Sequence, residues 1–325
     1  MASCLIIGGS GYIGTHLAKH LLSHNKFSHI YIADLKPSSL QGNPSITFFQ
    51  LDVRQPIPKD LLPENPEWIF NLAAICREPG YEAHEYFETN LAGARHVCDY
   101  AEVIECNNIF FTSSMAIYGP TKGATEETAV PCPATPYGAS KLAAEFIHEG
   151  WKRGKIGRRL LIVRPGVIYG PGDVGNILRM IRAIQKGYFA IPGSASVYKS
   201  YGYIYGLLES FTFMMEKKTD FAKYNYVEYP CEPIGYIVKK TKKFLGSSAP
   251  VLTVPMWVLV PLSHIVQCIL GSKNPIHPVR VKKVGTSTHL VPKVLLDTGF
   301  RFNYNYLGSL EHWSRIAPED FKLKT

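Results

Sequence analysis

The 325-residue sequence has no CxxC pair and no His or Cys spacing suited to zinc; its seven cysteines, at 4, 76, 98, 106, 132, 231 and 268, are scattered. This pattern excludes a disulfide-framed scaffold and predicts reduced, mostly buried thiols and no metal ion. No internal repeat or low-complexity tract occurs, which excludes solenoid and collagen-like architectures. The amino terminus lacks a basic n-region and a small-residue cleavage site, so no secretory signal is expected and the protein is expected in the cytoplasm. Long apolar runs are missing too. The most hydrophobic stretch, Val251 to Leu270, is interrupted by Pro255, Pro261 and His264, whereas a bilayer-spanning helix needs about 20 apolar residues. It reads as a helix pair packed into or onto the fold, with a lipid-facing patch as the lesser alternative, and membrane contact is not expected.

What is present is ordinary globular material: 46% hydrophobic and 19% charged residues, in a chain long enough for one large domain or two that share a core. The formal net charge is +9, with clusters at Lys152-Arg153-Lys155-Arg158-Arg159, Lys239-Lys240-Lys242-Lys243 and Lys282-Lys283. These clusters lack interleaved aromatics, so they read as solvated faces. A small polyanionic substrate fits the charge better than nucleic acid, which is not expected as a partner.

Short apolar runs at Cys4–Ile7, Ile30–Ala33, Ile46–Leu51, Trp68–Leu72, Ile109–Thr112 and Leu160–Val163 read as buried strands. Between them, Tyr12–Leu22, Glu82–Cys106 and Ser140–Trp151 have helical spacing. Alternation of this kind predicts an α/β fold with a doubly wound parallel sheet, because parallel strands need crossovers that supply the covering helices. After Gly172 the alternation weakens. The expected organisation is a nucleotide-binding domain over 1–172 and a smaller mixed α/β substrate lobe over 173–325, with segments exchanged between them.

Glycines at 8, 11 and 14 stand between the first strand and the first helix, and Asp34 follows 20 residues after Gly14 at the end of the second strand. Glycine there permits a tight turn and close approach of helix amides to a pyrophosphate, the Rossmann-like arrangement. Asp34 would accept from an adenosine ribose and repel a 2'-phosphate, which favours NAD, although Lys36 weakens that preference. Tyr137 and Lys141 lie four apart at the start of a helix and so share a face. A nearby ammonium favours phenolate and lets a tyrosine act as a base. Thr112-Ser113-Ser114 places hydroxyls at the carboxyl edge of a strand that opens on the same crevice.

The glycine triple, Asp34, Asn71-Leu72-Ala73-Ala74, Asn90, the run from Ser113 to Gly119, and Tyr137 with Lys141 together resemble the extended short-chain dehydrogenase/reductase family. Within it the sequence is most similar to the nucleotide-sugar epimerases and dehydratases. The resemblance implies that Tyr137 is the catalytic base, that Lys141 orients the nicotinamide ribose, and that Ser114 bonds the reacting sugar oxygen. It implies NAD contacts at Gly8, Gly11, Tyr12, Ile13, Gly14 and Asp34. Further along, it implies them at Asp52, Val53, Leu72, Ala73, Ala74 and Asn90, and at Tyr137, Lys141 and Arg164. For Asp52 a turn cap is the competing reading. On the substrate side it implies Asn176, Lys199 in place of an arginine, Arg280 as a phosphate contact, and Ser287 as the small residue that would admit an N-acetyl group at C2. Solvated surface is the competing reading for Asn176, Lys199 and Arg280.

Several residues depart from the pattern. Met115 and Ala116 replace the acidic pair with which 4,6-dehydratases expel water, Val167 replaces an asparagine, Gly206 replaces an aspartate, and Cys76 and Arg77 replace the usual cofactor-pocket residues. The resemblance thus implies an NAD-dependent nucleotide-sugar 4-epimerase of a UDP-hexose or UDP-N-acetylhexosamine, acting through a 4-keto intermediate. The alternative is an NAD(P)H-dependent reductase of a 4-keto nucleotide sugar or another bulky ketone, which Val167 and the apolar 251–270 stretch favour. A regulator that binds NAD without turnover is the non-enzymatic reading, against which the Ser, Tyr and Lys set argues. A homodimer through the helices near 82–106 and 137–153 is also implied.

Overall fold

The structure is a computed structural model that describes residues 2–78, 80–121, 123–173, 175–271 and 278–323. Its first half runs β1 (Ser3–Ile7), α1 (Tyr12–Ser23), β2 (His29–Asp34), β3 (Ile46–Gln50), β4 (Trp68–Asn71), α2 (Ala83–Val103), β5 (Asn108–Thr112), β6 (Ala124–Thr125), α3 (Pro136–Arg153), β7 (Arg159–Pro165) and β8 (Val167–Tyr169). The second half runs α4 (Asn176–Gln185), β9 (Ala190–Pro192), β10 (Tyr201–Tyr203), α5 (Ile204–Glu216), β11 (Phe221–Tyr226), α6 (Ile234–Leu245) and β12 (Leu252–Val254). It ends with α7 (Met256–Leu270), α8 (Pro278–Gly285), β13 (His289–Leu290), α9 (Lys293–Asp297) and α10 (Tyr306–Ile316).

Seven strands form one sheet in the order β11-β7-β5-β4-β1-β2-β3, and every neighbouring pair is parallel. The order reverses beside β1, the place where a doubly wound sheet leaves a crevice at its carboxyl edge. Strand β1 is buried along its whole length because helices cover both faces. Cys4 and Ile6 pack with Leu17 and Leu21 of α1, while Leu5 and Ile7 pack with Val97 and Ala101 of α2 and Ala144 of α3. Each of the Leu, Ile and Val side chains among them contributes roughly 1.5–3 kcal/mol by leaving water.

The chain crosses the expected boundary at 172. Strand β11 completes the large sheet beside β7, and α5 lies on that sheet with Phe211 stacked on Phe110 at 4.2 Å. The smaller lobe is built on short parallel pairs, β10 with β8 and β12 with β9, while β13 returns to pair with β6 of the first half.

Two expectations are corrected. The stretch from Val251 to Leu270 is not a helix pair: it forms β12 and the single helix α7, whose Trp257 is 78% exposed and Ile269 75% exposed. No helix among the described residues is long and apolar enough to cross a membrane. The cysteines divide, with Cys4, Cys98 and Cys106 buried, Cys231 half-buried, and Cys76, Cys132 and Cys268 exposed.

Candidate active site

The turn between β1 and α1 is built so closely that side chains are excluded from it. Gly8 has φ +80°, donates its N–H to the Ala33 carbonyl at 2.8 Å, and would place a Cβ 2.6 Å from the Ala73 nitrogen. A Cβ on Gly14 would stand 2.6 Å from the Gly8 carbonyl oxygen. Gly11 caps α1, Tyr12 and Ile13 form its first turn, and that turn carries no acidic side chain against an anion. Across the turn, Leu72, Ala73 and Ala74 run half-buried past the end of β4. At the end of β2 the Asp34 carboxylate accepts from the backbone N–H groups of Ser10 at 3.1 Å and Lys36 at 3.2 Å and stays partly open to solvent.

The other residues with an expected cofactor role have these surroundings. Asp52 accepts from the Arg54 guanidinium at 2.6–3.0 Å and from its backbone N–H at 3.0 Å, so it closes a turn, and the Arg54 hydrogen bonds hold its carboxyl below the usual range. Val53 is buried against Gly93 of α2. The Tyr12 hydroxyl lies beside Gly170 and has no hydrogen-bond partner among the described residues. Asn90 accepts from the Ile75 N–H at 2.9 Å and donates to the Ile75 carbonyl at 3.2 Å and to Ser140 Oγ at 2.9 Å. Ser140 Oγ in turn donates to the Tyr137 carbonyl at 2.9 Å, so Asn90 ties the loop after β4 to the first turn of α3. Arg164 is 2% exposed and grips Glu145 of α3 through two bonds of 3.0 and 2.7 Å, with further bonds to the Tyr118 hydroxyl and the Glu127 carbonyl. Burial alone would lower its pKa, but Glu145 and Tyr118 hold it up. A closed internal pair thus occupies Arg164 where a cofactor contact was expected.

Tyr137 and Lys141 lie one turn apart on α3, and Ser114 stands near Tyr137. Thr135 caps α3 with its hydroxyl accepting from the Gly138 N–H at 3.2 Å, and Pro136 occupies the first turn. Gly138 allows the close approach: its Cβ would lie 2.4 Å from the Ala116 carbonyl oxygen, in the tight turn Met115–Tyr118 that Ser114 opens. Ser114 Oγ accepts from the Ala116 N–H at 3.2 Å, in the turn against which the start of α3 is seated. Burial raises the Tyr137 pKa above its ordinary value, Cys76 and Glu78 push it further, and the nearby Ser114 hydroxyl pulls it down.

Lys141 is 2% exposed and sits 4.2 Å from the centre of the Phe111 ring; burial pushes its pKa down to about 7. Phe111 also stacks on His148 at 4.1 Å. His148 lies within 2.7 Å of the Ala144 carbonyl through Nδ1 and 3.2 Å from the Asn71 amide nitrogen through Nε2. That pairing assigns the proton to Nδ1. His148 was missed in the sequence, although its spacing of seven from Lys141 places it on the same helix face.

The substrate-side residues divide. Asn176 is exposed at the first position of α4. Lys199 donates to the Lys283 carbonyl at 2.9 Å and to the Thr286 carbonyl at the end of α8, and burial lowers its pKa to about 8. It holds a helix carboxyl end, where a cation is favoured. Arg280 lies in α8, but its side chain is outside the described residues. Ser287 is half-buried between α8 and β13. Gly206 has a specific cause: a Cβ there would lie 2.2 Å from the Tyr226 hydroxyl, which bonds the Tyr203 carbonyl at 3.1 Å, so no aspartate fits. An ion pair between Glu78 and Lys283 joins the loop after β4 to α8, and nothing in the sequence signalled it.

Comparison with known proteins agrees with this geometry. Residues 4–227 match the family model described as the NAD dependent epimerase/dehydratase family. The chain is 28% identical over 316 residues to the N-acetyl-alpha-D-glucosaminyl-diphospho-ditrans,octacis-undecaprenol 4-epimerase of Escherichia coli O157:H7, covering 94% of this chain and 92% of that protein. It is 28% identical to the UDP-glucose 4-epimerase of Lacticaseibacillus casei over 177 residues, 53% of each chain. A crystal structure of UDP-glucuronic acid 4-epimerase from Bacillus cereus in complex with NAD shares the fold, with a TM-score of 0.77 over 98% of this chain and all of that one at 20% identity. With a family model matched over more than half its length, the chain belongs to the NAD-dependent epimerase/dehydratase family of enzymes.

Proposed function

We propose that the protein is a 4-epimerase of a hexose or N-acetylhexosamine carried on a diphosphate, with Tyr137 as the catalytic base. The observation that carries this reading is the seating of the first turn of α3, which bears Tyr137, on the tight turn that Ser114 opens at the carboxyl edge of the sheet, with Met115 and Ala116 in that turn in place of acids. Proton transfer at one sugar oxygen is provided for, while an acid at positions 115–116 to expel water is not. The glycine cradle and the Asp34 carboxylate fit a dinucleotide, since any Cβ at Gly8 or Gly14 would fill the space in which backbone amides meet a pyrophosphate. These residues would hold NAD, which when bound would supply reversible hydride exchange with the sugar C4 and hence no net oxidation.

The chain's own residues do the rest. Ser114 holds the oxygen on C4, and Tyr137 removes its proton and gives it back. Burial alone makes the Tyr137 phenol a reluctant acid, so the base needs positive charge nearby, which the buried Lys141 supplies when protonated. The half-buried Ser287 is small enough to leave room for an acetamido group. The named substrate of the E. coli relative is an N-acetylglucosaminyl diphosphate on a polyprenol, and structural neighbours are named with UDP-sugars. The part common to both is a hexosyl diphosphate.

The test is to purify the protein without added cofactor, denature it, and identify the dinucleotide released. Stoichiometric NAD, with interconversion of UDP-N-acetylglucosamine and UDP-N-acetylgalactosamine seen by NMR, is the expected result. Tyr137→Phe should retain NAD while kcat falls by about 10²–10⁴-fold. An empty protein that takes up NADPH and reduces added ketones would overturn the reading.

A further inference from the structure

Helix α7 is strongly apolar yet largely exposed. Its sequence, Met-Trp-Val-Leu-Val-Pro-Leu-Ser-His-Ile-Val-Gln-Cys-Ile-Leu, carries no Asp, Glu, Lys or Arg. Yet Trp257, Leu262, Ile265 and Ile269 face solvent, as does Leu252 on the strand before them. Fifteen residues of helix span about 22 Å, short of the roughly 30 Å of a bilayer core, so this helix can lie on a membrane but not cross it.

Charge gives the second observation. Nine of the 35 Lys and Arg and none of the 26 Asp and Glu lie between Glu232 and Asp297, which accounts for the whole formal charge of +9. The rest of the chain is balanced. An apolar face centred in a segment of one sign matches an anionic lipid surface, where apolar burial and attraction to headgroups add. A second copy of the chain would bring two such segments together and fits less well.

Pairwise contacts also link α7 to the candidate site. Met256 packs against Gly285 at the end of α8, Lys283 of α8 pairs with Glu78, and Glu78 acts electrostatically on Tyr137. We propose that α7, with its basic flanks, seats the enzyme on an anionic bilayer surface with the substrate lobe against the membrane. The epimerase reading supplies only the purpose of this seating, access to a sugar diphosphate anchored in lipid; the surface itself is observed independently.

Trp257 provides the readout, because Trp68, Trp151 and Trp313 are at most 6% exposed. The full-length protein is mixed with vesicles of phosphatidylcholine alone or with about one-third phosphatidylglycerol. A blue shift of tryptophan emission and co-sedimentation with the anionic vesicles are expected, both weakened by 0.5 M salt. Ile265→Ser with Ile269→Ser should lower vesicle partitioning at least tenfold, and Lys239→Glu with Lys243→Glu should lower it on anionic vesicles only. Ile156→Ser, at an exposed position of the other lobe, should change nothing. Equal partitioning of the Ile265/Ile269 variant and the parent, or no sedimentation of the parent, would overturn the proposal. So would a fall in the parent's solution mass, without vesicles, on making that variant, which would assign the face to self-association. Because binding is read without turnover, and NAD content and UDP-sugar turnover are measured on the same variants, failure of the epimerase reading shows separately.

Discussion

Arg164 and Glu145 show how one pair of side chains can be fully committed beneath a site without touching it. Both are at most 2% exposed, and the guanidinium is further tied to Tyr118 and the Glu127 carbonyl. Removing one partner from such a pair leaves an uncompensated buried charge, a loss of about 3–5 kcal/mol, whereas replacing both with apolar groups is often neutral. Glu145→Ala should therefore lower the unfolding free energy in urea by about that amount, and Glu145→Leu with Arg164→Met should recover most of it. Gly8→Ala is a second test at this scale. At φ +80° and with a Cβ 2.6 Å from a backbone nitrogen, alanine must displace the backbone at Ala73, just past the end of β4. The variant should purify without dinucleotide and lose about 1–3 kcal/mol of stability. The glycine triple was legible because backbone geometry restricts the residue type; the fate of Arg164 was not, because its partner is fixed by tertiary packing.

Among the elements, Glu228 is the junction between β11, β8 and α10. Its carboxyl accepts from Tyr169 at 2.6 Å and from Ser309, and burial pushes its pKa up to about 7. The folded value lies above the unfolded one, so the folded state binds the proton more tightly. The contribution is fully present below about pH 4.5 and is lost as pH rises through about 7. Asp173, raised to about 6 by burial, acts in the same direction. Chemical denaturation from pH 4.5 to 7.5 should show stability from this group falling by at most about 3 kcal/mol. Glu228→Gln, which keeps the size and one acceptor, should flatten the profile, and an unchanged slope would assign it to other groups. The six strands whose apolar runs stand out in the sequence all appear, because strands covered on both faces need continuous hydrophobic residues. Strand β11, Phe-Ala-Lys-Tyr-Asn-Tyr, went unread: it lies at the sheet edge with its first residues open and alternates polar with aromatic side chains. The apolar 251–270 stretch misled in the opposite sense, since hydrophobicity alone does not say whether a helix is covered by its own protein.

At the scale of the whole molecule, the exposed residues of α2 and α3 bear on self-association. Helices α2 and α3 pack on each other along one flank of the sheet, and Phe87 and Phe146 stand exposed on them at 37% and 62%. Two large aromatics on adjacent helices favour a two-fold pairing of this flank with its own copy, since an isologous contact buries each of them twice. Helix α7 packs on α8 of the other lobe, so such pairing would leave the apolar helix uncovered. Phe146→Glu places a charge in the middle of that flank without touching Tyr137 or Lys141, which lie on the inward side of α3. Light scattering should report a dimer for the parent and a monomer for Phe146→Glu, with NAD content unchanged. Vesicle binding should persist in the monomer but weaken, because a dimer carries two copies of α7 and gains from simultaneous engagement. A parent that is monomeric at micromolar concentration would remove α2 and α3 as the interface.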